Sequence, residues 1–341
     1  MNFCSDNVTG AAPEIIDALV AGNEGSAMPY GNDPVTRRVR DRLCDLFETD
    51  CAVYPVATGS AANALALSCL CPPYGAIYCH RDSHINSDEC GAPEMATGGA
   101  KLIGVDGTDG RMDAGTLDAA IVAAQAGVVH HVQPAAVSLT QLTESGTVYR
   151  PDEIAAIAAV AHRHGLRVHM DGARFANAVA SLGCSPAEVT WKAGIDVLSF
   201  GATKNGCLAA EAVVFFGGDP RDAGFRRKRA GHLFSKMRTI SLQLDAYLQD
   251  DLWRRNAAHA NAMAARLAEG ISLTPGGRLV HPCQGNEVFA QLPEPVLDAL
   301  EAEGFQFYRW EATTIRLVCA FNTRPDDVAR FIAVLNDTSA V

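Results

Sequence analysis

The sequence predicts an α/β fold with a large, mostly parallel sheet domain and a smaller C-terminal α+β domain. The chain has 341 residues, which exceeds the size at which one core usually stops growing, so two domains are expected. Between about residues 50 and 216, short apolar runs alternate with helical patterns, which is typical of a parallel sheet covered by helices on both faces. After residue 217 helices dominate before short strands return, which indicates the second unit.

Each predicted element of the large sheet is a short, β-rich apolar run or a run with helical spacing. The predicted strands are Ala52–Val56, Ala76–Cys79, Lys101–Val105, Ala135–Thr140, Leu166–Met170, Asp196–Phe200 and Ala212–Phe216. Apolar residues at helical spacing predict helices over Ser60–Leu70, Ala114–Ala126, Asp152–His164 and Phe175–Leu182. Pro151 before the third helix and Gly165 after it are typical helix ends.

The C-terminal part combines short strands with helices, and the whole chain is predicted to divide into three segments. Its strands are predicted at Leu279–His281, Glu287–Leu292 and Thr314–Cys319, and its helices at Pro295–Glu303 and Pro325–Leu335. We expect residues 31–250 to form the large domain and residues 251–341 the small one. Residues 1–30 are rich in Gly, Asn and Pro, so we expect them to pack on the small domain or on a partner subunit.

Composition excludes several classes of partner. The formal net charge is -11 and no long Lys/Arg run is present, which argues against nucleic acids and anionic membranes. The N-terminus lacks the pattern of a signal peptide, and no apolar run reaches the length of a membrane helix. The 11 cysteines form no C-x-x-C pair, which indicates reduced thiols and no metal site. We therefore expect a cytoplasmic protein whose ligand is a small molecule.

The first chemical feature is an acidic residue at the end of a buried strand. Asp171 directly follows the run Leu166–Met170 and begins the sequence Asp-Gly-Ala-Arg. Ligands of open α/β sheets bind beyond the carboxyl ends of the strands, and a carboxylate buried there needs a cation or a donor. Taken alone, a simpler interpretation is that Asp171 caps the helix that begins near Phe175.

A lysine follows the next predicted strand. Lys204 lies in a turn of small residues directly after Asp196–Phe200. A lysine that is partly desolvated can lose its proton, as Schiff-base chemistry requires, although a surface lysine is the simpler interpretation of Lys204 alone. Asp171 and Lys204 together fit a pyridine cofactor, because the lysine can bind its aldehyde while the carboxylate keeps the ring nitrogen protonated.

Two further features are predicted at the same edge of the sheet. The turn Thr58-Gly59-Ser60 joins a strand to a helix, and its N–H groups and hydroxyl could hold a phosphate; alternatively, Ser60 only caps the helix. His84 follows the strand Ala76–Cys79, where an imidazole could stack on a cofactor ring or move protons, although a lone loop histidine often has no such role. Glu89 is close enough in sequence to share this site.

In this order, the residues resemble the threonine aldolase branch of the β-eliminating lyase family, most closely its low-specificity bacterial members. The matching motifs span nearly the whole chain: Ser5-Asp6, Tyr30–Asp33, Thr58–Asn63, His84 with Glu89, Asp171–Arg174, Thr203–Gly206 and Arg316. The resemblance implies the fold type I of pyridoxal 5'-phosphate (PLP) enzymes, also called the PLP-dependent transferase-like fold. It implies cleavage of β-hydroxy-α-amino acids, such as L-threonine, L-allo-threonine or phenylserine, to glycine and an aldehyde. It also implies a homotetramer, a dimer of dimers whose active sites are shared between subunits.

The resemblance assigns roles to the candidate site residues. Lys204 would bind the cofactor as a Schiff base, Asp171 would pair with the pyridine nitrogen, and His84 would stack on the ring. The other cofactor contacts would come from Thr58, Gly59, Ser60, Arg174 and, reaching a neighbouring subunit's phosphate, Arg238. The substrate would contact Ser5, Tyr30, Glu89, Arg174 and Arg316, with Arg316 holding the carboxylate as a bidentate fork.

One position departs from the family. Many members carry a second histidine, in an Asn-Thr-His segment after the strand near residue 140, which contacts the substrate hydroxyl. Alignment places Thr143 at that position. The base that acts on the β-hydroxyl and the threo/allo preference are therefore open, with His84 as the first candidate for the proton step and Glu89 as the second.

Two other functions are compatible with the same residues. Another PLP fold type I activity, such as β-elimination, racemisation or transamination, would use the same Asp171 and Lys204, because geometry selects the bond that breaks. The second alternative is a non-catalytic protein that has kept the fold, against which the intact Lys204, Asp171 and Arg316 argue.

Overall fold

The computed structural model describes residues 1–339, which form two main sheets of different size. The larger sheet has seven strands in the order β1-β9-β8-β7-β6-β2-β3, and the smaller has four in the order β10-β11-β13-β12. Strands β4 and β5 form a separate hairpin. The strands are β1 Cys51–Val56, β2 Gly75–His80, β3 Lys101–Val105, β4 Gly107–Thr108, β5 Arg111–Met112, β6 Gln133–Thr140, β7 Arg167–Gly172, β8 Val197–Gly201, β9 Glu211–Phe216, β10 Arg278–Leu279, β11 Glu287–Gln291, β12 Tyr308–Arg309 and β13 Thr314–Val318.

The helices alternate with the strands of the large sheet and then become dominant between the two sheets. They are α1 Pro13–Ala21, α2 Pro34–Leu46, α3 Gly59–Leu70, α4 His84–Ser87, α5 Ala92–Thr97, α6 Ala114–Ala123, α7 Pro151–Arg163, α8 Phe175–Leu182, α9 Ala223–Arg229, α10 Arg238–Leu248, α11 Leu252–Leu273, α12 Glu294–Ala302 and α13 Pro325–Ser339. Within residues 1–339, none of these helices has both the length and the apolar character needed to cross a bilayer.

The strand directions place several strand ends at one edge of the large sheet. Strands β8, β7, β6, β2 and β3 are mutually parallel, and β9 is antiparallel to both β8 and β1. Because β1 and β8 both oppose β9, β1 runs in the same direction as β8. The carboxyl ends of β1, β2, β6, β7 and β8 therefore meet at one edge, here called the carboxyl edge, where β9 begins. The prediction of a large, mostly parallel seven-stranded sheet is confirmed.

The boundaries differ from the prediction where pairing extends beyond the apolar run. Strand β7 continues two residues past its predicted end, because Asp171 still pairs with Thr140 on β6 and with Ser199 on β8. Strand β12 and the β4–β5 hairpin were not predicted, since strands of two residues are too short to show an alternating pattern.

Two main apolar clusters underlie the two sheets, and α11 contributes to both. Its first turns, with Trp253 and Ala257, pack into the cluster under the large sheet, while Leu267 and Ile271 pack into the cluster of the small sheet. The N-terminal residues also divide between them, because Phe3 joins the small-sheet cluster and α1 packs on α10. The domain boundaries at residues 30 and 250 stay a prediction.

Two glycines let the ends of β7 and β8 approach closely at the carboxyl edge. A Cβ atom on Gly201 would lie 2.5 Å from the carbonyl oxygen of Ala173, and one on Gly172 would lie 2.7 Å from that of Ser199. Such distances exclude any side chain at either position unless the backbone shifts. The two residues therefore fix the spacing of the strands that lead to Asp171 and Lys204.

We expect Gly201→Ala to lower the free energy of unfolding by roughly 1–3 kcal/mol, because overpacking would push the ends of the two strands apart. Chemical denaturation monitored by circular dichroism measures this change. Gly10→Ala is the matched control, since a Cβ there meets no atom within 4 Å. Equal stability of the two variants would contradict the close approach.

Candidate active site

Asp171 and Lys204 lie at the carboxyl edge because they follow neighbouring parallel strands. Asp171 is the fifth residue of β7, and Lys204 lies in a short 3-10 turn, Thr203–Asn205, directly after β8. In the β7–β8 register, Asp171 is opposite Ser199 and Gly172 is opposite Phe200. The charges of Asp171 and Lys204 both act on the pKa of His84, which shows that the three groups share one electrostatic environment.

Asp171 is a buried carboxylate that only neutral groups hold. It is 4% exposed, and its two oxygens accept hydrogen bonds from Asn63 Nδ2 at 2.7 Å and from the Ala173 N–H at 3.0 Å. In residues 1–339 no Lys or Arg forms an ion pair with it. Asp171 does not cap α8, whose first residue follows Arg174 without a side-chain cap, so the simpler interpretation is wrong. A carboxylate in this state is suited to a cationic N–H donor from a ligand.

Asn63 links Asp171 to a second polar pair. Its Nδ2 also donates to Glu89 Oε1 at 2.9 Å, and the same oxygen lies 2.8 Å from His84 Nδ1. The contact between His84 and Glu89 raises the pKa of His84 above its usual value, while burial opposes the rise. The predicted sharing of one site by His84 and Glu89 is therefore observed. Asn63 was not predicted, although a polar residue one turn after Ser60 in an otherwise apolar helix was a usable signal.

The turn before α3 is capped by Thr58 and not by Ser60. Thr58 Oγ1 accepts a hydrogen bond from the Ala61 N–H at 3.2 Å, so the alternative in which Ser60 is only a helix cap is wrong. A Cβ atom on Gly59 would meet nothing within 4 Å, which leaves open space beside the turn. Because the turn follows β1, the N-terminus of α3 lies at the carboxyl edge, where helix N–H groups can bind an anion.

Arg174 is enclosed by two carboxylates from distant parts of the chain. Its guanidinium donates to both oxygens of Asp6, at 2.7 and 3.0 Å, and Nη1 lies 3.3 Å from Glu287 Oε2. The Arg174 side chain is 12% exposed, and Asn286 also donates to Asp6 at 3.0 Å. The charge of Arg174 contributes to the lowered pKa of Asp6, against the effect of burial. Arg174 thus ties the N-terminal segment and β11 to the end of β7.

The guanidinium of Arg316 has fewer hydrogen-bond and ion-pair partners than that of Arg174. Its Nη2 donates to the carbonyl oxygen of Cys4 at 3.2 Å, and its guanidinium lies 5.2 Å from the ring of Tyr308 and 5.3 Å from that of Trp310. Its Nε is buried without a partner in the described part of the chain. Ser5 follows Cys4 directly, and its hydroxyl oxygen accepts from the Asn7 N–H at 3.1 Å. Arg316 and Ser5 therefore lie close together.

A buried glutamate supports the turn that carries Lys204. Glu211, the first residue of β9, accepts a hydrogen bond from the Ala202 N–H at 3.2 Å. Burial raises the pKa of Glu211 to about 7, although the Thr203 hydroxyl and the charge of Lys204 act in the opposite direction. Glu211 was not predicted; its only signal was a charged residue at the start of an otherwise apolar strand.

Thr143 does not point toward this group of residues. It is fully buried, and its hydroxyl lies 2.8 Å from that of Thr147 within the loop after β6. The next residue, Glu144, contacts His84 instead. Its Oε1 accepts a hydrogen bond from the backbone N–H of His84 at 2.8 Å. Sequence alignment places Thr143 at the position of the family histidine, and that alignment stays a prediction, while the contact with His84 comes from the neighbouring Glu144.

Several buried polar atoms around the carboxyl edge lack a hydrogen-bond partner. Buried polar groups are nearly always paired in folded proteins, so a cluster of unpaired atoms indicates a place for a polar ligand. Within residues 1–339 they include Asn63 Oδ1, Glu89 Oε2, Glu144 Oε2, Asn286 Oδ1 and Arg316 Nε. This arrangement fits a charged cofactor and substrate.

Two predicted site residues lie apart from this group. Tyr30 is 45% exposed, and Lys228 Nζ lies 4.8 Å from the centre of its ring. Arg238, at the start of α10, donates to the carbonyl oxygens of Glu24 and Gly25. Neither side chain has a hydrogen bond or ion pair to Asp171, Lys204 or His84 in the described residues.

Comparisons with known proteins agree with this geometry. The sequence profile of the beta-eliminating lyases matches residues 2–294. A low specificity L-threonine aldolase of Pseudomonas aeruginosa is 44% identical over 341 residues, covering 99% of this chain and 97% of that protein. A second one, from a Pseudomonas species, is 44% identical and covers 97% and 96% of the two chains.

Solved structures show the same relationship. The threonine aldolase of Leishmania major superposes with a TM-score of 0.90 at 28% identity, covering 98% of both chains. A serine palmitoyltransferase of Sphingomonas wittichii, at 15% identity and a TM-score of 0.73, shares the fold, which confirms the predicted fold type I. The family match and the 44% identity over nearly the full length show that this chain belongs to the beta-eliminating lyase family, in its threonine aldolase branch.

Proposed function

We propose that this chain is a PLP-dependent aldehyde-lyase that cleaves β-hydroxy-α-amino acids, such as L-threonine and L-allo-threonine, to glycine and an aldehyde. The observation that carries the proposal is the position of Asp171, a buried carboxylate without a cationic partner in residues 1–339, beside the turn that carries Lys204. The names of the two relatives at 44% identity, both low specificity L-threonine aldolases, support this activity.

The residues at the carboxyl edge fit PLP. Asp171 would accept a hydrogen bond from the pyridinium nitrogen, and Lys204 would hold the aldehyde carbon. The N-terminus of α3, with Thr58, Gly59 and Ser60, would hold the phosphate, since this turn has free space beside Gly59. When bound, PLP supplies a protonated ring that accepts the electron pair of the bond cleaved at Cα.

His84 and Glu89 would act as a pair beside the ring. The contact of 2.8 Å between Glu89 Oε1 and His84 Nδ1 fixes the orientation of the imidazole. The His84 side chain is 41% exposed, so part of the imidazole is accessible to a cofactor ring. Asn63 holds both Glu89 and Asp171, so the ring support and the ring nitrogen partner are positioned together.

Arg316 would bind the substrate carboxylate, together with Ser5. Tyr308 and Trp310 flank its guanidinium, and its buried Nε has no partner in the described structure. A guanidinium held in this way can donate two parallel hydrogen bonds to a carboxylate. Arg174 would add positive charge and hold the segment that contains Ser5, through its pair with Asp6.

The roles of Tyr30 and Arg238 require a neighbouring subunit. We propose a cytoplasmic homotetramer in which these two residues complete the site of a neighbouring subunit. Lys228 and Lys236 line one cavity with Tyr30, and these two basic groups support a contact with a phosphate. Light scattering measures the assembly, and a monomeric holoenzyme with full activity would contradict this role.

We expect the wild-type protein with PLP to release acetaldehyde and glycine from L-threonine in equal amounts, without 2-oxobutanoate. Lys204→Ala should lower this activity to background, because no amine remains to hold the cofactor and exchange with the substrate. Separate assays of the three products measure the reaction. Lys192→Ala, an exposed lysine paired with Glu48, is the control. Formation of 2-oxobutanoate in place of acetaldehyde would instead indicate another PLP activity.

Arg316→Lys should raise the KM for L-threonine with a smaller effect on kcat. The loss of a charge-assisted bidentate contact costs roughly 1.5–3 kcal/mol, which corresponds to about 10- to 100-fold in affinity. Steady-state kinetics over a range of threonine concentrations measures both constants. Arg324→Lys, at an exposed arginine, should leave them unchanged. An unchanged KM in Arg316→Lys would show that another residue binds the carboxylate.

A further inference from the structure

We propose that Glu144 is the base that takes the proton from the β-hydroxyl of the substrate, an inference that rests on the proposed function. Glu144 lies in the loop between β6 and α7. Strand β6 is the neighbour of β7 in the sheet, so this loop leaves the carboxyl edge beside Asp171.

The two carboxylate oxygens of Glu144 differ in their hydrogen bonding. Oε1 accepts a hydrogen bond from the backbone N–H of His84 at 2.8 Å, which holds the carboxyl group against the start of α4. Oε2 is buried and has no partner in residues 1–339. An unpaired buried oxygen is costly, so Oε2 is suited to accept a hydrogen bond from a ligand hydroxyl.

The electrostatic surroundings suit a group that takes and returns a proton. Burial raises the pKa of Glu144 to about 7, and the negative charge of Asp171 adds to the rise, while the backbone N–H of His84 and the Thr140 hydroxyl oppose it. A general base is most effective when its pKa lies near the working pH. The titratable groups whose charges interact with Glu144 come from four places in the chain, Cys79, Tyr149, Asp171 and Arg174, while His84 contributes only its backbone N–H.

The other candidates for this role are already engaged. His84 Nδ1 lies 2.8 Å from Glu89 Oε1, and this contact raises the pKa of the imidazole, so a larger fraction of it already carries the proton that a base would have to accept. Glu89 Oε1 accepts a hydrogen bond from Asn63 Nδ2 and lies against His84 Nδ1, so the Glu89 carboxylate is the partner of the imidazole, although its Oε2, like that of Glu144, has no partner in residues 1–339. The Thr143 hydroxyl is bonded to Thr147.

The step conserves protons and electrons. Glu144 Oε2 takes the hydroxyl proton, and the electron pair of the O–H bond becomes the second C–O bond of the leaving aldehyde. The Cα–Cβ bond breaks at the same time, and its electron pair stays with the glycine fragment. Glycine then forms when Cα gains one proton, so the reaction consumes no oxidant or reductant.

The variant Glu144→Gln, prepared as the PLP-loaded enzyme, tests this assignment. We expect its kcat for L-threonine to fall by about 100-fold or more, the usual range for loss of a general base. Its visible cofactor absorption and its dissociation constant for glycine should match the wild type, because glycine has no β-hydroxyl. Glu269→Gln, at an exposed position on α11, is the matched control and should retain wild-type activity.

Two pH measurements distinguish a proton-carrying role from a structural one. The wild-type kcat/KM should rise with pH through about 7, as the Glu144 carboxyl loses its proton, and this rise should be absent in Glu144→Gln. Infrared difference spectra of the two proteins should show a protonated carboxyl band that disappears over the same range only in the wild type. Glu144→His, which restores a base with a pKa near neutral, should regain part of the lost activity.

Retention of wild-type threonine cleavage in Glu144→Gln would overturn the assignment, as would an unchanged rise of kcat/KM near pH 7. Loss of cleavage in His84→Asn combined with full cleavage in Glu144→Gln would transfer the role to His84. Failure of the proposed function is a separate result, since the wild-type enzyme itself would then release no acetaldehyde from L-threonine.

Discussion

The parallel pairing of β7 with β8 is the constraint on which the whole site depends. It delivers Asp171 and the Lys204 turn to one edge of the sheet, although 32 residues lie between them in sequence. The close approach at Gly172 and Gly201 keeps the two strand ends at a fixed distance. Two further groups are placed relative to these residues: Asn63 contacts Asp171, and Glu211 supports the Lys204 turn.

Buried carboxyl groups outnumber the cations around this edge, which explains why so many polar atoms there lack partners. Asp6, Glu89, Glu144, Asp171, Glu211 and Glu287 contribute acidic groups, while Lys204, Arg174 and Arg316 are the basic groups. Arg174 joins three distant segments through Asp6 and Glu287, so the small sheet is linked directly to the site. A protonated cofactor ring would supply the cationic partner that Asp171 lacks in residues 1–339.

The sequence was sufficient to predict the seven strands, the consecutive placement of Asp171 and Lys204 and the position of the turn at Thr58. These depend on local apolar patterns and on a general rule for open sheets. Asn63, Glu144 and Glu211 could not be predicted in their roles, because each acts through a contact with a residue far away in the chain. The difference between Thr143 and Glu144 depends on the conformation of one loop, which residue spacing does not determine.

Reduction of the purified PLP-loaded protein with borohydride, followed by proteolysis and mass spectrometry, tests the central claim most directly. Reduction makes the bond between a lysine and the cofactor permanent, so the labelled peptide identifies the lysine that faces Asp171. We expect a single pyridoxyl-phosphate label, on the peptide that contains Lys204. A label on another lysine, or no label at all, would contradict the placement of the cofactor between the ends of β7 and β8.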